Sequence, residues 1–326
     1  MDIAQLLQTV TRTPLTRRRL LIGAGAGLLL PAAALLRLLW PHEPDAGKLR
    51  VTAIDVGQGD STLIVTPSGR TILVDGGGTS DEAQAADTDI GERIVVPFLR
   101  YLGIGRIDVL ILTHPHGDHV GGLSAVVRAL DIGIALDGTT LPYPSPAYQQ
   151  FCQELTRRGV PRHRAVRGMT LDMGDGVSLQ VLNPPASALY GSAAAYGTNA
   201  DNATINNYSV GLRLVYGQTR FILTGDAQTE AEAQMCLAPD DLHADVLKCG
   251  HHGSRNASSD DWLARVRPRQ AVISCGRHNR FGHPHPETLA RLAAHNAEVF
   301  RTDHHGAVTF VSDGRTVTAR TFLKSK

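Results

Sequence analysis

The nine residues Ile111-Leu112-Thr113-His114-Pro115-His116-Gly117-Asp118-His119 restrict this chain more than any other feature. Three histidines and an aspartate fall within six positions, directly behind the apolar run Val109–Leu112, which reads as a buried strand ending in a loop. Side chains two apart in extended backbone point the same way, so His114 and His116 can converge on one ion. Asp118 and His119 fall where the chain must turn into a helix, and can face a second ion close by. Imidazole with carboxylate suits a borderline divalent cation such as zinc, or manganese where oxygen donors dominate. The competing reading is a polar loop with a chance histidine cluster. It requires four ligand-type residues to share one strand-end loop by accident.

The run Thr113-His-x-His-x-Asp-His119 resembles the signature of the metallo-β-lactamase-fold hydrolases. Further motifs follow in order: Val56-Gly57-Gln58-Gly59-Asp60-Ser61, Leu73-Val74-Asp75-Gly76-Gly77, Leu223-Thr224-Gly225-Asp226, Gly250-His251-His252-Gly253-Ser254 and Asn279-Arg280-Phe281-Gly282-His283-Pro284. As a set they are similar to the metallo-β-lactamase-like domain of ComEC-type competence proteins, from about Leu49 to the end of the chain. The resemblance implies an α/β fold, an αββα sandwich of two mixed sheets with helices outside. It also implies two divalent metal ions, zinc or manganese. The first ion would take His114, His116 and a share of Asp226; the second would take Asp118, His119, the other oxygen of Asp226, and His251. A carboxylate can bridge ions about 3.5–4 Å apart and hold a hydroxide between them. Asp118 and His283 are the residues expected to act on substrate. Asp75, Asn207, His252 and Ser254 are expected behind the metal or against the substrate.

Two departures from the family pattern bear on this assignment. The superfamily usually supplies a further histidine for the first ion between the opening motif and Gly225-Asp226, and the only histidine there is His163, flanked by Arg162 and Arg164. Asn206-Asn207-Tyr208-Ser209 occupies the expected region, which leaves the first ion weakly held, ligated by Asn207 or water, or absent. His251 and His252 are adjacent and only one is expected to reach the metal; His251 is the choice, with His252 turned towards substrate or core. Asp55, Gln58 and Asp60 either line the site or build a tight Gly-x-Gly turn. A carboxylate at the bridging position, where some lactamases have cysteine, favours phosphoester chemistry over lactam opening.

Charge is nearly balanced, with 32 Lys+Arg against 31 Asp+Glu, but it is unevenly placed. Arg12, Arg17, Arg18, Arg19 and Arg37 stand against Asp2 alone in the first forty residues, so the remainder carries a slight acidic excess. Bulk charge therefore does not advertise a nucleic-acid groove, and any polyanion contact must be local. The arginines precede an apolar run, Leu20–Leu36, rich in small residues. Basic, apolar and small-residue regions in that order describe an export signal of twin-arginine type, or an anchor if it is not cleaved at Ala32-x-Ala34. The expected organisation is thus 1–48 as export signal or membrane anchor with linker, and 49–326 as the hydrolase domain. Its place is the periplasm, the cell exterior or the membrane face, with membrane contact only through the amino-terminal segment. The cysteines Cys152, Cys236, Cys249 and Cys275 match neither a metal spacing nor a disulfide scaffold.

Along the domain, short β-branched runs alternate with helical spacings, and the two halves each give strands then helices. The small, polar stretch Ser187–Asn202 is expected to be a surface loop near the site. The leading functional expectation is a metal-dependent hydrolase of phosphoester bonds, a phosphodiesterase or nuclease. Its partner is a phosphoester substrate, nucleic acid among the candidates, and no protein partner is evident. The alternatives are a hydrolase of a lactone, ester or β-lactam, and a degenerate metal-binding module.

Overall fold

The structure, a computed structural model, describes residues 45–79, 89–139, 143–189 and 202–323. The chain divides into Met1–Gly47 and Lys48–Lys326, and the second unit carries the histidine motif and every described strand. The expected export segment lies, as far as residue 44, outside the described residues, as does most of the expected loop at 187–202. Among the described residues no helix is long and apolar enough to cross a membrane.

Two sheets form the domain. The first contains β1 (Leu49–Ala53), β2 (Thr62–Val65), β3 (Thr71–Val74), β4 (Arg106–Leu112), β5 (Asp131–Asp137) and β6 (Arg162–Arg164), neighbours in that order. The second contains β7 (Thr170–Asp172), β8 (Val177–Asn183), β9 (Gly211–Tyr216), β10 (Thr219–Leu223), β11 (Val246–Lys248), β12 (Gln270–Ile273) and β13 (Glu298–Arg301). The last strands, β14 (Val308–Ser312) and β15 (Val317–Thr321), return to the first sheet, where β14 pairs antiparallel with β1, Val51 opposite Phe310. The halves of the chain therefore do not map one to each sheet. Two strands were not legible as such: β6, which reads as an exposed basic segment, and the alternating polar β15.

The alternation of Cβ atoms gives each strand of the first sheet two working faces. Leu63, Val65, Leu73, Leu110 and Leu112 pack under Val96 and Leu99 of helix Val96–Tyr101, Leu123 and Val126 of helix Leu123–Ala129, and Phe151 of helix Pro146–Arg157. The second sheet is covered likewise by Met235 of helix Thr229–Cys236, Trp262 and Leu263 of helix Asp260–Val266 and Leu292 of helix Pro286–Ala294. Between the sheets, Val51, Thr62 and Phe310 meet Phe221, Val246 and Val272 around a small gap. Helix, sheet, sheet, helix is the order expected from the sequence, and each apolar face is buried on another.

Strand direction places the site. β3, β4, β5 and β6 run parallel, as do β10, β11, β12 and β13. Parallel strands put their carboxyl ends on one edge, and loops at that edge are where such sheets bind ligands. Asp75 follows β3, the histidine motif follows β4, Asp226 follows β10, His251 and His252 follow β11, and His283 follows β12.

Candidate metal centre

Beneath the motif loop the backbone is closely packed. The Asp60 N–H donates to Asp118 O at 3.1 Å, and the Gly76 N–H donates to His119 O at 2.8 Å. Gly59 has φ +145°, and a Cβ there would stand 2.4 Å from Asp118 O, so only glycine lets these loops meet. Asp75, itself left-handed at φ 60°, accepts from Thr113 N–H at 2.8 Å and Thr113 Oγ1 at 2.7 Å. Its Oδ2 lies 2.8 Å from His119 Nδ1. This carboxylate therefore fixes the His119 ring with Nε2 aimed inward, the way outer groups orient metal-binding imidazoles.

Five predicted residues are brought together. His114, His119 and Asp226 form one donor group with atoms within 4.8 Å of one another, and Asp118, His119 and His252 form another. Asp226 sits centrally: its Oδ1 is 3.3 Å from His119 Nε2, and its Oδ2 is 3.5 Å from His252 Nε2 and 3.9 Å from His114 Nε2. Asp118 Oδ2 is 3.2 Å from His252 Nε2. His116 joins none of these groups, but its Nδ1 is 3.0 Å from His114 Nε2, so the two rings converge as their spacing suggested. His163 lies on edge strand β6, opposite Leu136, and belongs to none of the donor groups.

The adjacent histidines sort differently from the expectation. Both are left-handed, His251 at φ 47° and His252 at φ 53°, a strained pair of the kind that functional loops retain. The turn buries His252, whose Nδ1 donates to Ser274 O at 3.0 Å, leaving Nε2 to face Asp118 and Asp226. His251 keeps a side chain 25% exposed, and its Nε2 is 3.9 Å from Asp226 Oδ2. Its ring nitrogens meet the amides of Gln228 (3.3 Å) and Asn206 (3.5 Å). His252, rather than His251, occupies the donor groups.

Asn207 is likewise turned away. Its Oδ1 accepts from the Gln228 N–H at 3.0 Å and its Nδ2 donates to Glu230 at 3.0 Å, so it caps helix Thr229–Cys236. The inward residue of that stretch is Asn206, which is buried. Ser209 was not singled out, yet its Oγ lies 3.2 Å from His114 Nδ1 and accepts from Asp226 N–H at 3.0 Å. It holds a ligand candidate of each sheet at once. The Ser254 hydroxyl accepts from Asn256 N–H at 3.4 Å, a local turn contact. His304 and His305 belong to none of the donor groups.

Asp60 and Lys248 complete the buried polar set. They form an ion pair, and Lys248 Nζ also donates to Gly225 O at 3.1 Å. A lysine following Val246 and Leu247 in the buried strand β11 was the available signal. Gln58 braces the far side, accepting from Gly276 N–H at 3.0 Å with Nε2 3.5 Å from His283 Nδ1.

Electrostatics agree with a cation-binding role. Burial disfavours charge on the His119 ring, but Asp226 and Asp75 outweigh it and hold the ring well above the usual histidine range. His252 is raised against its burial by Asp226 and Asp60. His114 is pushed well below that range by burial and by charge on His119 and His116. Asp118 is lowered to about 2, because the His252 ring 3.2 Å away and the charge on His119 overcome burial. Nε2 of His119, Nε2 of His252 and Oδ1 of Asp226 are buried without a hydrogen bond of good geometry. Buried polar atoms of this kind need a partner, and a divalent ion with nitrogen and oxygen ligands fits these three. His283 is lowered to about 3 by burial and by charge on His252 and His251. It is neutral at pH 7, which suits a hydrogen-bonding partner of substrate better than a proton donor. Beside it opens a cleft of about 930 Å³, lined by Arg277, His278, Asn279, Arg301 and His304.

A two-sheet sandwich with imidazoles and carboxylates gathered at its strand ends defines a metallo-β-lactamase type of centre. The chain belongs to the metallo-beta-lactamase superfamily, whose family model matches residues 54–277 and whose members are usually metal-dependent hydrolases. It is 32% identical to ComE operon protein 3 of Bacillus subtilis over 270 residues, 80% of this chain and 32% of that protein. It is 32% identical to Competence protein ComA of Neisseria gonorrhoeae over 295 residues, 89% of this chain and 37% of that protein. A shorter match, 36% over 109 residues and 33% of each chain, joins it to a UPF0173 metal-dependent hydrolase of Cupriavidus taiwanensis. The chain thus spans about a third of the length of its competence-type relatives.

Proposed function

We propose that this chain is a metal-dependent hydrolase of phosphodiester bonds. The observation that carries the reading is the donor set: carboxylates and imidazoles, no thiolate among the described residues, and Asp226 between the two groups. A carboxylate rather than a thiolate at the shared position makes this mixed nitrogen and oxygen ligation harder, which suits phosphoryl oxygens. Two divalent ions, zinc or manganese, would be held by His114, Asp118, His119, Asp226 and His252, with His116 beside His114. Such a pair supplies an activated water and neutralises charge on the phosphoryl oxygens. The protein's own part is orientation. Asp75 and Ser274 fix the rings of His119 and His252, and Ser209 fixes Asp226 against His114. His283 and His251 face the open side, where they can hydrogen-bond substrate oxygens, and the adjoining cleft leaves room for groups beyond the scissile bond. Nucleic acid is one phosphodiester this reading would accommodate.

A panel of phosphodiester, phosphomonoester, lactone and β-lactam substrates with manganese and with zinc tests this. Phosphodiester turnover with either metal is expected. Turnover confined to a lactone or lactam would overturn the reading, and metal binding without turnover of any substrate would indicate a binding module. We also propose that 1–48 directs export; a reporter fused to that segment should leave the cytoplasm, and replacing Arg17, Arg18 and Arg19 with lysine should stop it. Undiminished export of the triple variant would exclude the twin-arginine route.

A further inference from the structure

Asp60 and Lys248 lie outside the ligand pattern and are as buried as the ligands themselves. Asp60 precedes β2 in the first sheet, and Lys248 ends β11 in the second. Asp60 is a donor that the ion clusters would otherwise use. It groups with Asp75 and His119, and again with Asp226 and His252, each set within 4.8 Å. Its Oδ1 is buried without a hydrogen bond, 3.8 Å from His252 Nδ1, and that nitrogen is already committed to Ser274 O. Its Oδ2 belongs to Lys248. Every other ion pair inside the cluster joins an imidazole to a carboxylate, so the Lys248 ammonium is its one fixed cation among the described residues. A buried carboxylate without a proton takes whichever cation its surroundings supply.

We propose that Lys248 is a positioning residue that serves as a built-in cation: it occupies Asp60, keeps that carboxylate out of the divalent ions' coordination, and through Gly225 ties the Asp226 turn to the first sheet. The proposal rests on reading the cluster as a metal centre. A tethered ammonium differs from a bound ion in that it cannot exchange. The divalent positions are therefore confined to the donors around Asp226. Removing the ammonium while keeping the volume of the side chain frees both oxygens of Asp60 for a divalent ion beside Asp226 and His252, whose donor atoms lie within 4.8 Å.

The test is calorimetric titration of the full chain with Mn²⁺, folding being checked by circular dichroism. Lys248→Met is expected to bind one further equivalent compared with wild type. Lys248→Arg, which keeps a fixed charge, and the double variant Lys248→Met with Asp60→Asn are expected to return to wild-type stoichiometry. A folded Lys248→Met protein with wild-type stoichiometry and affinity would overturn the proposal. If Lys248→Met does not fold, Asp60→Asn decides: the ammonium is then unpaired beside the Asp226 turn, and Mn²⁺ affinity should fall by roughly 10–100-fold, the range for changes around a ligand set. Unchanged affinity in that variant overturns the proposal as well. A wild-type chain that binds no ion overturns both this proposal and the metal-centre reading, whereas ions bound equally by all variants overturn this one alone.

Discussion

The first sheet delivers its donors from one loop, His114, His116, Asp118 and His119 after β4, with Asp75 and Thr113 bonded behind them. The second sheet delivers Asp226, His252 and His283 from three loops, each bent by left-handed backbone: Gly225 at φ 54°, His251 and His252 at 47° and 53°, and Gly282 at 71°. The contiguous half is fixed by local hydrogen bonds and by a strand that aims it. The dispersed half is fixed by which way each turn happens to throw its side chain. A ligand in the first half can be assigned from spacing; a ligand in the second half depends on packing between elements far apart in the chain.

The comparison breaks most decisively at Asp226, the residue of the second half that faces donors of both. Asp226→Asn is expected to abolish phosphodiester turnover and to lower bound metal, with the circular dichroism of the fold retained. Wild-type turnover in this variant would remove the shared carboxylate from the site. Next comes the histidine pair. His252→Ala should lose metal stoichiometry and activity together, because it removes an inward Nε2, whereas His251→Ala should keep its metal and raise KM. The reverse pattern, measured by elemental analysis and kinetics, would restore the assignment suggested by sequence.

A smaller effect concerns pH. His119 and His252 have raised affinities for protons in the ion-free protein, and a metal ion needs the neutral rings. Metal binding should therefore release protons, and affinity should weaken as pH falls through those raised values. Calorimetry in two buffers of different ionisation heat reads the number released, and no release would mean that these rings are not ligands. Smallest is Asn207. As a helix cap it should cost about 1 kcal/mol when changed to alanine, seen in chemical unfolding, while turnover stays near wild type. A large loss of activity at unchanged stability would return Asn207 to the site.

The sequence carried the αββα order through its resemblance to the metallo-β-lactamase fold, with β-branched runs and helical spacings that each have one apolar face to bury, and strand periodicity with a tight loop placed His114, Asp118 and His119 together at one strand end. It also marked Asp226 and the two-histidine loop as places where chemistry would be. Tertiary structure alone decided that β14 returns to pair with β1, that His252 and not His251 turns inward, and that Asn207 caps a helix while Ser209 joins His114 to Asp226. It also decided that Lys248, an oddity within an apolar strand, meets Asp60 from the opposite sheet. Local periodicity carries the direction of a side chain along a strand or helix. It carries nothing about the sign of φ at a turn or about a contact spanning 188 residues, and those settled the second half of this site.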